Sequence, residues 1–145
     1  MKTLIVYYSR TGKVKKAAES ALRLYEDAEI LEIKDPVKRN GILGALKCGY
    51  HAVTKQVIPL VPIEQDLSSY DKIVLCAPVW AGNIASPARS FLINCGPQIN
   101  SIEYIIMHAS EKENYEPILD EMDELCKKAR TGARFLISGT VLEPK

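Results

Sequence analysis

The spacing of the apolar residues switches repeatedly between a strand period and a helix period, and this alternation restricts the fold more than any other feature of the chain. Strand-like runs occupy 3–8, 29–33, 72–77, 103–108 and 133–138. Between the first two, Val14, Ala17, Ala18, Ala21, Leu22 and Tyr25 recur at three- and four-residue steps and predict a helix with one apolar face. A second helix is expected over about 42–53, with Gly44 and Gly49 as weak points. A third is expected to start at Ser86 as cap with Pro87 in its first turn and to stop at Gly96-Pro97. A fourth, over about 115–129, carries Ile118, Leu119, Met122, Leu125 and Cys126 on one face.

Strands alternating with helices imply a parallel sheet covered on both faces and joined by right-handed crossovers. Ile73-Val74-Leu75-Cys76-Ala77 is unbroken apolar sequence, as a strand buried on both faces requires, and so belongs mid-sheet. Glu29-Ile30-Leu31-Glu32-Ile33 mixes charge with apolar residues and belongs at an edge. The expected fold class is an α/β three-layer sandwich with a five-stranded parallel sheet in the order 2-1-3-4-5. After the fifth strand, 139–145 is too short for another covering helix, so the final helix is expected to be absent. The sheet face left bare would then be closed by a homodimer through the fourth and fifth strands or the neighbouring helix.

A chain of 145 residues suits one domain over 1–145, with 56–70, containing Pro59 and Pro62, as an extended connection inside it. The net charge of +1, with acids and bases interspersed, gives no field of one sign for nucleic acid or an anionic membrane. No apolar stretch approaches a membrane span and the start shows no signal-peptide pattern, so a cytoplasmic location is expected. Cys48, Cys76, Cys95 and Cys126 are widely separated, and His51 and His108 have no nearby ligand set, so no metal site is expected.

In sheets of this order ligands bind beyond the carboxyl ends of the strands where the winding reverses, here between the first and third. Ser9-Arg10-Thr11-Gly12-Lys13 follows the first strand and combines hydroxyls, a glycine and the start of a helix. Unpaired N–H groups there suit a phosphate, although the same residues also suit a plain helix cap. A nucleoside-triphosphate loop is excluded, because Tyr7 stands where its first glycine is needed and Val14 where its magnesium-binding hydroxyl is needed. A phospho-acceptor domain is excluded because Ser9 and Arg10 replace the acidic pair. The third strand leads into Pro78-Val79-Trp80-Ala81-Gly82-Asn83. Trp80 there fits either a packed anchor or the wall of a site for a planar ligand, and Gly82 and Asn83 could offer amides to a heterocycle's edge.

Ser9-Arg10-Thr11-Gly12, together with Ala77-Pro78-Val79-Trp80-Ala81-Gly82 and Pro87-Ala88-Arg89-Ser90-Phe91-Leu92, resembles the flavodoxin-like FMN-binding proteins over nearly the whole chain. The stretches 38–44 and 66–71 resemble the short flavodoxin relatives. The resemblance implies an FMN phosphate held at Ser9, Arg10, Thr11, Gly12, Lys13 and Val14, and the isoalloxazine packed on Pro78, Val79, Trp80, Ala81, Gly82 and Asn83. A third loop would touch the ring's other side through Ser110, Glu111 and Tyr115.

That third loop departs from the family's glycine pair, and Lys13-Val14 stands where Asn-Thr is common. Glu111 beside the ring would repel charge gained on reduction and lower the potential. No residue stands out as a general acid, base or nucleophile, so redox chemistry would belong to the flavin. The function implied is electron transfer to a redox partner protein, or reduction of a small quinone-type acceptor. The alternative is a fold of this kind that has lost tight FMN binding and serves as an anion-binding or interaction module.

Overall fold

The computed structural model describes residues 2–109 and 114–142. Its elements run β1 (Thr3–Tyr7), α1 (Lys13–Ala21), β2 (Ala28–Glu32), α2 (Gly41–Val53), β3 (Lys72–Trp80), β4 (Asn83–Ile84), α3 (Ser86–Cys95), β5 (Ile102–His108), α4 (Glu116–Cys126) and β6 (Gly132–Ile137). The main path of the sheet is β2-β1-β3-β5-β6, every neighbour parallel, and β4 pairs antiparallel with the end of β3. Setting β4 aside, this is the flavodoxin-like order 2-1-3-4-5 expected from the sequence.

The apolar run of β3 lies where its composition demands: Ile73 to Ala77 are completely buried between two helical layers. On one face Leu4, Val6, Leu75, Tyr104 and Ile106 meet Phe91 and Leu92 of α3 and Leu119 and Met122 of α4. On the other, Ile5, Val74, Cys76 and Ile105 meet Val14, Ala17, Ala18 and Ala21 of α1. Each large side chain buried this way contributes about 1.5–3 kcal/mol. β2 is the edge strand and keeps Glu29 and Glu32 in water.

Three local expectations change. α1 ends at Ala21, and a tight turn in which the Leu24 N–H reaches the Ala21 carbonyl keeps Leu22, Leu24 and Tyr25 against the same core. The third helix starts at Ser86 rather than after it, with Ala85 as the flanking residue. Ser86 Oγ makes no cap; it accepts from Arg39 Nη2 at 3.2 Å, because a buried guanidinium needs that acceptor more than the helix end does. The strand expected to stop at Ala77 continues through Pro78 and Val79 to Trp80.

Among the described residues no helix follows β6. The chain instead turns back across the α1 face: Leu142 is buried and its N–H donates to Ser20 Oγ at 3.0 Å. Ile105 and Met107, which a missing helix would have left open, are thereby 2% and 5% exposed. The most exposed of the large apolar side chains lie elsewhere, on α2.

That helix packs closely because of Gly44. A Cβ built there would lie 2.0 Å from the Arg39 carbonyl carbon, so only glycine lets 39–40 cross the helix at this distance.

Candidate functional site

At the carboxyl ends of β1, β3, β5 and β6 the structure forms a cleft of about 150 Å³. Ser9, Arg10, Thr11, Lys13 and Val14 form one end, Pro78, Val79 and Trp80 one wall, and Met107, His108, Ala109 and Ser138 the opposite side. Gly12, Ala81, Gly82, Asn83 and Tyr115 do not line it. Ser110 and Glu111 lie outside the described residues.

The polar end is built by the turn from β1 into α1. Gly12 takes φ +95°, a left-handed conformation open to glycine, and its N–H donates to Ser9 Oγ at 2.9 Å. No side chain caps the helix and no acid sits in its first turn, so the N–H groups of that turn stand open together with exposed Lys13, Lys15 and Lys16. This combination favours an anion. Arg10 turns sideways, donating from Nε to the Arg39 carbonyl at 2.7 Å and from Nη2 to the Gly41 carbonyl at 2.8 Å. It ties the loop to the start of α2.

The aromatic wall is a hairpin rather than a loop. Ala81 and Gly82 take φ +49° and +76°, the pair of left-handed residues a tight hairpin turn requires, and Trp80 pairs with Asn83 across it. The Asn83 side-chain amide donates to the Ala81 carbonyl at 3.0 Å and so serves the turn. Trp80 is fixed from behind: its ring meets Tyr8 edge-on, with centroids 5.6 Å apart, and the Arg39 guanidinium lies over it at 4.9 Å. Arg39 is in turn held by Asp35 at 2.8 Å, with both side chains at most 3% exposed, and it also donates to Cys48 Sγ at 3.5 Å. Burial, reinforced by the nearby Asp35 charge, pushes the Tyr8 hydroxyl up to about 12, so it stays protonated at neutral pH.

Opposite Trp80, the His108 ring lies 4.5 Å from Tyr115 and 6.0 Å from Phe135. Tyr115 is buried and supports His108 instead of reaching the cleft. The Ser138 N–H donates to the His108 carbonyl at 2.7 Å, which brings the end of β6 to the site.

Met107, His108, Ser138, Arg39 and Asp35 were not anticipated. The four-residue spacing of Asp35 and Arg39, and the position of His108 at a strand's carboxyl end, were the available signals. Among the described residues no group of His, Cys, Asp and Glu is arranged to hold a metal ion, and no helix is long and apolar enough to cross a membrane.

Neither a family model nor a curated protein matches the chain. Solved structures do. The crystal structure of a flavoprotein in complex with FMN from Lactobacillus acidophilus NCFM is 22% identical with a TM-score of 0.78, covering 92% of each chain. The apo-form of the flavoprotein from the same organism, solved by NMR, is 27% identical with a TM-score of 0.65 over 92% of this chain and 91% of that one. Oxidised Flavodoxin 1 from Bacillus cereus is 13% identical with a TM-score of 0.54, covering 99% of this chain and 87% of its own. The chain has the flavodoxin-like fold.

Proposed function

We propose that this flavodoxin-fold chain binds FMN in the cleft and works as an electron carrier, or passes electrons directly to a small quinone-type acceptor. The observation that carries the proposal is one cleft with an open helix amino end at one extreme and an immobilised tryptophan along its side. A phosphate fits the first and a planar ring the second. The Lactobacillus acidophilus flavoprotein, similar in fold over 92% of each chain, is described in complex with FMN, which supports the same ligand here.

The donor set suits the group. First-turn N–H groups, Thr11, Ser9 and the ammonium of Lys13 would take the phosphate, and no carboxylate in that turn opposes them. Pro78, Val79 and Trp80 would form one wall for the ring, with Ala81, Gly82 and Asn83 at the hairpin tip beside its edge. On the other side Tyr115 would act through His108, whose ring it contacts. FMN, when bound, supplies the electron chemistry; the protein binds it, orients it and excludes water from one face.

The test is titration of the purified chain into FMN while its fluorescence is followed. Stoichiometric quenching at micromolar concentration is expected. No quenching, with no flavin on the isolated protein, would overturn the proposal in favour of an anion-binding or interaction module.

A further inference from the structure

Helix α2 is turned inside out. Its inward side is made of Gly44, Cys48 and Ala52, while Ile42, Leu43, Leu46, Tyr50 and Val53 point into water, 58% to 84% exposed. At 3.6 residues per turn those five fall within one arc of about 100°, a continuous stripe. Five large apolar side chains this exposed and this contiguous form a patch of the kind that marks an interaction site on a monomer.

The charge carried by this stretch of chain is one-sided. From 36 to 63 the chain has no Asp or Glu, yet it carries Lys38, Arg39, Lys47 and Lys55. Asp35 neutralises Arg39 and Glu121 engages Lys55, so among the described residues Lys38 and Lys47 are the cations of this stretch without an ion pair. The stripe also adjoins the candidate site, because Ala45 and Gly49 share a groove with Trp80 and Ala81.

We propose that this face docks a partner protein presenting an apolar centre rimmed by carboxylates, and that docking places the partner beside Trp80. A second copy of the chain fits less well, since each copy would bring lysines and no acid from this stretch. A membrane fits less well too, since anionic lipid recognition draws on clusters of about 4–8 basic residues and α2 turns its other face into the protein. The docking surface is independent of flavin; its part in electron exchange rests on the function proposed above.

The experiment titrates two labelled amphipathic helical peptides, a leucine stripe flanked by glutamates and the same stripe flanked by lysines, against the intact chain by fluorescence anisotropy. The glutamate peptide is expected to bind, and to bind about tenfold more weakly to Leu46→Ser, to Lys47→Glu, and to the unaltered chain as salt is raised. Both substitutions are at exposed positions, and circular dichroism checks that each variant folds. Equal binding of both peptides, or binding of neither, overturns the proposal. So does co-sedimentation with phosphatidylserine vesicles, or a concentration-dependent dimer that Leu46→Ser abolishes. FMN quenching is measured on the same samples: its loss alone refutes the flavin site and leaves the docking result standing.

Discussion

The guanidinium of Arg39 lies 4.9 Å from the centre of the Trp80 ring and is itself clamped by Asp35, so a buried ion pair holds the wall of the cleft in place. Removing one partner leaves the other charged in a low-dielectric site. Arg39→Met should therefore lower the unfolding free energy by about 3 kcal/mol, read by urea denaturation. Adding Asp35→Leu should restore part of that loss, because the stranded carboxylate is gone. A double variant no better than the single one would show that the pair is not the source.

Thr11 stands at the polar end of the cleft and Trp80 along its wall, and the two should fail differently. Trp80→Ala should weaken FMN and riboflavin alike, by about tenfold, through lost ring contact. Thr11→Ala should weaken FMN by a similar factor and leave riboflavin untouched, because only FMN carries the phosphate. Fluorescence titration of the two ligands separates these outcomes.

Two glycines of the same helix should respond in opposite senses. Gly44→Ala drives a methyl into the Arg39 backbone at 2.0 Å and should cost about 3 kcal/mol or more. Gly49→Ala meets its nearest neighbour, Ala81 Cβ, at 3.8 Å, which is ordinary contact, and should stabilise the helix by roughly 0.5–1 kcal/mol. Thermal melts of the pair test the packing of α2 directly.

Acid should weaken the fold through Glu103. Burial alone would raise its pKa, but hydrogen bonds from Lys72 and Tyr25 outweigh this and hold the carboxyl below its ordinary 4.5. A depressed folded-state pKa gives stability that is fully present above the unfolded value and is lost as the pH falls through the folded one. Urea midpoints should accordingly drop below about pH 4.5, and Glu103→Gln should flatten part of that slope. Glu121, held low by Lys55 and Arg89 against its own burial, supplies a further part.

The strand order was readable because burial on both faces and burial on one leave different compositions, as Ile73 to Ala77 and Glu29 to Ile33 show. The hairpin was not. Pro78 ordinarily argues against a strand continuing, and Ala81 in a left-handed conformation has no sequence signature. The cleft's polar end and its aromatic wall were legible from the Ser-Thr-Gly turn and the tryptophan. Arg39 was not, because its role depends on Gly44 letting 39–40 cross α2, a contact no spacing rule encodes. The helix over about 42–53 was legible but its outward apolar stripe was not, since periodicity reports which residues share a side and is silent on which way that side points.

The Ser20–Leu142 hydrogen bond joins positions 122 residues apart. A helix following β6 would have nucleated locally and docked as a unit, whereas this strap gains its contacts only once the sheet and α1 are already assembled. Closure of that face is thus a late event in folding, and substitutions such as Leu142→Ala should hasten unfolding far more than they slow folding. The strap acts as a latch on lifetime, and stopped-flow kinetics would read it as a change mainly in the unfolding limb.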